Sequence, residues 1–356
     1  MPRSVQAPSP SRGRGRINPW FPPAFALSRT GSAVILKLGF MIKSPLSPQP
    51  PIKLSDLSRQ RLLAEIEAYF GVKPPSEIVE CDYALWRCTE TGFEFVEPAQ
   101  AGGAAFYEWI SRFPSYYPGR RWEYGEVERL MREQHQTASS NLRVLDVGCG
   151  TGDFLRGLDL LPNVERFGID LNRPAIETCR KHGLRAFCGT VAEAQRAGFA
   201  RPGQFDYVTA FHCLEHVPDP VGFVRELAQL LAVGGHLLIS TPYSPMCFEA
   251  DWFDVLNHPP HHLGRWNLVA FRKLAALLDL TFSYHMPPAR PAWIRAVQTF
   301  RLLRYGPQRA VGKRAIAVDL LFSLPKFLSL WRRQRQHQVV DGRPAADVIL
   351  IAFKRS

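Results

Sequence analysis

The chain is expected to adopt an α/β fold: a doubly wound, mainly parallel, seven-stranded sheet with an N-terminal extension and a helical insert before the last strand. Three observations carry this expectation. Apolar runs of strand length alternate with helical patterns from residue 142 onward. The run Val144-Leu145-Asp146-Val147 leads directly into Gly148-Cys149-Gly150-Thr151-Gly152 and then into a helical pattern, Phe154 to Leu161. A hydrophobic content of 46% against 21% charged residues is that of a globular chain able to bury a core.

Residues 1–55 hold 8 Lys or Arg and no acid, and are rich in Pro and Ser. Such a segment buries too little apolar surface to offset its ordering entropy, so a disordered basic segment is expected. The same composition fits a transit peptide, and translation starting at Met41 is a third reading. The apolar run Ala33–Ile42 contains Lys37 and is too brief to span a bilayer.

Residues 56–140 read as a helical and aromatic extension. A helix is expected after a cap at Asp56 or Ser58, with Leu62, Leu63, Ile66 and Tyr69–Phe70 at helical spacing and Gly71 as its end. Tyr83 to Pro98 reads as two short strands around a turn. Aromatics then crowd the chain (Phe106, Tyr107, Trp109, Phe113, Tyr116, Tyr117, Trp122, Tyr124), either as packing or as one wall of a pocket.

The main domain is expected over 141–356. Its strands are expected at Arg143–Val147, Arg166–Asp170, Arg185–Cys188, Tyr207–Phe211, His236–Ser240, Leu280–His285 and Ala346–Phe353, and its clearest helices at Pro220–Leu231 and Asn267–Leu278. The insert over residues 290–337 mixes apolar residues with Arg and Lys and closes on Arg332-Arg333-Gln334-Arg335. It reads either as a helical cap over the pocket or as an interfacial helix against anionic lipid, and the two are compatible for a lipid-linked substrate.

Net charge is +12, yet residues 56–284 hold 22 basic and 29 acidic groups, so the basicity belongs to the two ends. The high isoelectric point is therefore no argument for nucleic acid, which is not expected as a partner. Seven cysteines lie without paired spacing, which fits a reducing, cytoplasmic setting. No apolar run reaches the 18 residues of a membrane span.

A strand, glycine turn and helix start let backbone approach a ligand where a Cβ would collide, and the helix start adds N–H donors. The nicotinamide fingerprint would place its third glycine at residue 153, which is Asp153. Asp170 ends the next strand, where a carboxylate can accept both ribose hydroxyls of a nucleoside. Gly189-Thr190-Val191-Ala192-Glu193, then Phe205 to Pro220, then Leu231-Ala232-Val233-Gly234-Gly235-His236 follow in order.

This succession resembles the class I S-adenosylmethionine-dependent methyltransferases, a Rossmann-like family, over roughly residues 142–285. It is most similar to the branch whose members methylate quinone precursors, glycans and natural products. Glu215-His216-Val217 followed by Pro220, and Pro259-Pro260-His261-His262-Leu263 followed by Trp266, carry that likeness. The resemblance implies S-adenosylmethionine as cofactor, held by Asp146, Gly148, Cys149, Gly150, Gly152, Asp170, Leu171, Thr190, Val191 and Phe211. It implies a small-molecule, glycan or lipid-linked acceptor, most readily methylated on oxygen, with carbon and nitrogen left open. The contrasting reading is a non-catalytic binding or assembly module that keeps the fold. Family members commonly carry a cysteine knuckle before the core; here Thr91 stands where the partner of Cys88 would be. The Asp/Asn-Pro-Pro-aromatic tetrapeptide of base-methylating enzymes is replaced by Ala210-Phe211-His212-Cys213.

Methyl transfer from a sulfonium is an in-line displacement, so alignment and water exclusion are the protein's main contribution. A hydroxyl acceptor also needs its proton removed, which a histidine can do. His212, just past the fourth strand, is a candidate base or a cofactor contact. His216 reads as packing or a helix cap. His261 and His262, in a Pro-rich loop, are candidates for base, substrate clamp or lid. His258 beside them suggests a metal, but the nearest carboxylate, Asp254, is set apart by the Pro259-Pro260 break, so no metal is expected.

Overall fold

Ser58 starts the first helix. Its hydroxyl accepts the Arg61 N–H at 3.2 Å, and Gly71, at φ 70°, ends the helix with its own N–H on the Glu67 carbonyl. The computed structural model describes residues 42–113, 121–134 and 141–354. In it this helix, α1 (Arg59–Phe70), follows β1 (Ile52–Leu57), so Asp56 belongs to a strand and Ser58 is the cap. Strands β2 (Tyr83–Arg87) and β3 (Glu94–Glu97) pair antiparallel with β1 in sequence order. Helices α2 (Ala104–Ile110) and α3 (Trp122–Gln134) complete the extension.

The aromatic stripe packs in two directions. Trp109 and Phe113 pack on Phe70 at ring-centroid distances of 5.1 and 4.2 Å, whereas Tyr107 and Tyr124 turn toward the main domain. Tyr116 and Tyr117 lie outside the described residues.

The expected disorder does not extend to residue 55. Leu46 is 1% exposed, the Ser47 hydroxyl donates to Glu90 at 2.6 Å, and β1 pairs with β2 along its whole length. A composition averaged over the segment conceals a short stretch that finds a sheet edge and an apolar seat. Residues 1–41, including Met41 and nearly all of the run Ala33–Ile42, lie outside the described residues.

The main sheet alternates with helices as β4 (Leu142–Val147), α4 (Asp153–Gly157), β5 (Val164–Asp170), α5 (Arg173–Lys181), β6 (Arg185–Cys188), α6 (Val191–Arg196), β7 (Phe205–Phe211), α7 (Pro220–Gln229) and β8 (Leu231–Pro242). It continues through β9 (Gly264–Arg265), α8 (Leu268–Leu277), β10 (Thr281–His285), the insert helices α9 (Ala292–Tyr305), α10 (Lys313–Phe322) and α11 (Leu324–Arg335), the small pair β11 (Val339–Val340) and β12 (Arg343–Pro344), and β13 (Val348–Lys354). Helix starts follow from side-chain caps at Asn172, Thr190, Asp219 and Asn267. Thr190 and Glu193 form a reciprocal capping box.

Seven strands lie in the order β10-β13-β8-β7-β4-β5-β6. β4 to β8 are parallel, and β13 runs antiparallel to β8 and β10. Val144, Leu145, Val208, Ala210, Leu237, Ile239, Ile349 and Ile351 are buried, as consecutive strand residues must be when helices cover both faces. β9 pairs with β3, so the extension's sheet takes its last strand from the main domain. Trp266, next along the chain, lies fully buried against Phe93 and Phe271 and joins the two parts.

Sequence order reverses between β4 and β7: β5 and β6 lie to one side of β4, β7 and β8 to the other. Ligands of open α/β sheets bind beyond the carboxyl ends at such a switch point. The glycine turn after β4 and His212 after β7 both emerge there.

Candidate functional site

The turn after β4 can be built only with glycine at alternate positions. Gly148, Gly150 and Gly152 have φ of 76°, 52° and 79°. A Cβ on Gly148 would stand 2.3 Å from the Cys213 sulfur, and one on Gly152 would stand 2.5 Å from a Leu184 methyl. The Gly148 and Cys149 N–H groups donate to the Ile169 carbonyl at 2.8 and 3.2 Å, tying the turn to β5.

Asp170, at the end of β5, accepts the Gly150 N–H at 2.8 Å on one oxygen and the Asn172 N–H at 2.7 Å on the other. Burial raises its pKa, and these backbone donors counter only part of the rise. A carboxylate has about four lone-pair sites, so hydroxyls of a ligand can still be accepted. Asp146 lies deeper and accepts the Thr209 hydroxyl at 2.7 Å; burial pushes its pKa up to about 8 despite that bond.

The remaining sequence-selected positions line the same carboxyl edge. Leu171 is exposed, Cys149 is buried, and Phe211 packs edge-on to Tyr124 and Phe154 at 4.9 Å. The Thr190 hydroxyl is engaged in its capping box with Glu193, and the Val191 side chain is buried in the core. What these two can present to a ligand is therefore backbone.

His212 stands at φ 52°, its N–H donating to the Ser240 carbonyl at 2.9 Å. Its Nε2 lies 2.6 Å from Glu123 of α3, and its Nδ1 lies 3.3 Å from Glu215. Burial would lower the imidazole pKa, but the two carboxylates outweigh burial and raise it. Glu123, whose own burial would raise it, is held below the ordinary carboxylate range by His212. His212 thus stands between two carboxyl groups that favour its protonated form. Sequence reasoning missed Glu123, because the contact joins residues 89 positions apart.

The Pro-rich loop is not a surface lid. Pro259 to Gly264 are buried, because their backbone is shared between neighbouring segments. The Gly102 N–H donates to the Pro260 carbonyl at 2.8 Å, the Leu263 N–H to Glu215 at 2.7 Å, and the Val96 N–H to Leu263 at 3.1 Å. His261 and His262 are therefore enclosed, and burial drives both imidazoles well below their ordinary pKa. His216 joins them, with ring centroids 4.5 Å from His261 and 4.8 Å from His262. His258, which sequence proximity grouped with the pair, instead stacks on Phe253 at 3.9 Å.

Comparison with known proteins places this geometry in context. Residues 120–281 match a family described as a methyltransferase domain. The ubiquinone biosynthesis O-methyltransferase of Marinobacter nauticus is 34% identical over 118 residues, spanning 32% of this chain and 49% of that protein. The protein of the same name from Ralstonia nicotianae is 42% identical over 103 residues, spanning 28% and 42%. The chain thus spans about half the length, or less, of these curated relatives. Among solved structures, an S-adenosylmethionine-dependent methyltransferase from Archaeoglobus fulgidus is similar at a TM-score of 0.42 and 15% identity, covering 65% of this chain and 94% of that one. The plantazolicin methyltransferase BpumL, solved with S-adenosylhomocysteine, reaches 0.43 at 14% identity, covering 71% and 91%.

Asp146 gives this site a pH signature. The folded chain keeps the Asp146 proton between pH 3.8 and about 8, a range in which the unfolded chain has lost it. Stability therefore falls as pH rises through that window, by up to about 1.4 kcal/mol per pH unit from this group. Denaturant titrations across the window should show that Asp146→Asn flattens the decline; a variant as pH-sensitive as the parent would refute the assignment.

Proposed function

We propose that residues 120–281, which match a methyltransferase domain family, form a class I S-adenosylmethionine-dependent methyltransferase domain and that the chain methylates a hydroxyl of a small-molecule acceptor. The observation that carries this reading is the juxtaposition, at one switch point, of a glycine-rich turn anchored by Asp170 and a histidine held between two carboxyl groups. S-adenosylmethionine supplies an activated methyl group for in-line displacement.

The chain's own residues bind, orient and move a proton. Backbone of Gly148, Cys149, Gly150 and Gly152 forms the cradle for the donor, its turn held by positive φ at the three glycines, and Asp146 ties the strand beneath it to Thr209. Asp170 accepts the ribose hydroxyls on its remaining lone pairs, and Leu171 with the Thr190–Val191 backbone flanks the adenine. Phe211, with Tyr124 and Phe154, forms an apolar wall that excludes water. His212 takes the acceptor's hydroxyl proton, and Glu123 with Glu215 orients the ring and favours the imidazolium that results. His261 and His262 stand behind these residues as supports of the chamber and not as a lid.

A non-catalytic module is not favoured, since glycine turn, Asp170 and His212 are all kept in working arrangement. The relatives' names point to a quinone precursor as the kind of acceptor, and the insert suits one carrying a lipid tail. α10 has no buried residue, and Leu321 and Phe322 are 75% and 87% exposed. Lys313, Arg314, Lys326, Arg332 and Arg335 lie on the same two helices, α10 and α11. The fitting partner is an anionic lipid surface. Among the described residues no helix is long and apolar enough to cross a membrane, so the contact is peripheral.

Isothermal calorimetry should register S-adenosylmethionine binding that Asp170→Ala reduces at least tenfold. No heat from the parent chain, or an unchanged variant, would contradict the reading. In co-sedimentation with vesicles containing phosphatidylglycerol, a Leu321→Glu, Phe322→Glu double variant should partition less than the parent. Equal partitioning would remove the lipid contact.

A further inference from the structure

We propose that Cys149 and Cys179 form a dithiol that a hydroperoxide closes to a disulfide, and that the closed form weakens binding of the methyl donor. The two sulfurs meet at one atom. Cys149 Sγ lies 3.7 Å from the Gly150 carbonyl oxygen, and Cys179 Sγ lies 3.3 Å from it. Cys149 belongs to the turn after β4, whereas Cys179 lies on α5, 29 positions beyond Gly150. Glycines make the room in which the sulfurs meet. A Cβ on Gly152 would stand 3.1 Å from Cys179 Sγ, and one on Gly168 would stand 2.7 Å from Cys149 Sγ.

The thiols are also bonded to each other. That hydrogen bond holds the Cys149 thiol well above its ordinary pKa, with burial adding to the rise, and it lowers the pKa of Cys179 against burial and the Asp170 charge. Cys149 is therefore the donor, and Cys179 is the sulfur disposed to carry negative charge, the form that attacks an oxidant. Methyl transfer uses the backbone of Cys149 and neither sulfur, so both are left for this chemistry.

Oxidation proceeds in two balanced steps. The Cys179 sulfur attacks one peroxide oxygen, the O–O bond breaks, and a sulfenic acid forms while the other oxygen leaves as water with the thiol proton. The Cys149 sulfur then displaces the sulfenic oxygen, which leaves with the Cys149 proton as a second water, and the S–S bond forms. Two thiols and one peroxide thus give one disulfide and two waters.

Cys149 is 7% exposed and Cys179 is fully buried, while Gly148 and Thr151 of the same turn are exposed. The oxidant therefore enters where the donor binds, and the reaction follows opening of the turn. Closure acts back on the donor site through the backbone. Hydrogen-bonded sulfurs must draw together to about 2.05 Å in a disulfide. The Cys149 N–H is held by the Ile169 carbonyl and the Gly150 N–H by Asp170. Drawing Cys149 onto α5 thus shifts the Gly150 amide against the carboxylate assigned to the ribose. This effect on the donor rests on the methyl-transfer reading, whereas disulfide formation does not.

The test uses the full chain, reduced with dithiothreitol, exposed to hydrogen peroxide and then alkylated. Trypsin cuts after Arg143, Arg156, Arg166 and Arg180 but not before Pro174, so the two cysteines fall in separate peptides, 144–156 and 167–180. Mass spectrometry should find these peptides joined, lighter by two hydrogens than their sum, and saturating S-adenosylhomocysteine should slow the joining. Calorimetry should show donor affinity about tenfold lower in the joined chain, restored by dithiothreitol. Cys179→Ser should bind donor like the reduced parent and keep that affinity after peroxide. Circular dichroism checks that each sample is folded; if the variant is not, the reduced and joined forms of the parent decide. A folded parent whose peptides stay separate, or a joined chain that binds donor as tightly as the reduced one, overturns the proposal. Joining is read without donor, so it stands apart from the methyltransferase reading, which fails instead if the reduced parent gives no donor heat.

Discussion

The constraint on which the site depends is the close approach of the two chain segments that leave the sheet side by side after β4 and β7. Gly148 and Cys213 approach so closely that a single added carbon would overlap a sulfur atom. That closeness requires glycine, and glycine at positive φ turns the chain toward α4 while leaving backbone exposed to a ligand. The same approach brings Asp170 on one side and His212 on the other to a common edge. Sheet order, turn chemistry and site are thus three consequences of one close approach.

The N-terminal extension packs directly on the proposed site. Glu123 reaches His212 from α3, Tyr124 meets Phe211, and Tyr107 faces His216 and His261. In return the main domain lends β9 to the extension's sheet and Arg265 to Glu94, while Lys273 reaches Glu90. The Arg265–Glu94 pair is enclosed, and such a pair adds little net stability after desolvation, but loss of one partner strands the other charge. The effect of these contacts is to hold the extension in a single position over the switch point.

Much of this arrangement was legible in the amino-acid order because its causes are local. The five parallel strands each carry a short apolar stretch, and Ser58, Asn172, Thr190, Asp219 and Asn267 announce helix starts by side-chain chemistry that acts within three residues. The glycine spacing likewise reports a local backbone requirement. What was not legible depends on distant pairing. Glu123 looks like any acid on a helix until α3 is folded against β7. His258 is nearer in sequence to His261 than His216 is, yet it turns to Phe253 while His216 joins the cluster. The strand at Ile52–Leu57 was concealed by the composition of its neighbours, and two-residue β9 carries no pattern at all.

At the centre stands the proposal that the adjacent ends of β4 and β7 build a nucleoside site facing the Glu123–His212 pair. A crystal structure of the full chain with S-adenosylhomocysteine tests it most directly. The account predicts ribose hydroxyls on Asp170, the amino-acid end against the Gly148–Gly152 backbone, and the sulfur directed toward the side bearing His212. A bound product that leaves Asp170 untouched, or that directs its sulfur away from His212, would contradict it.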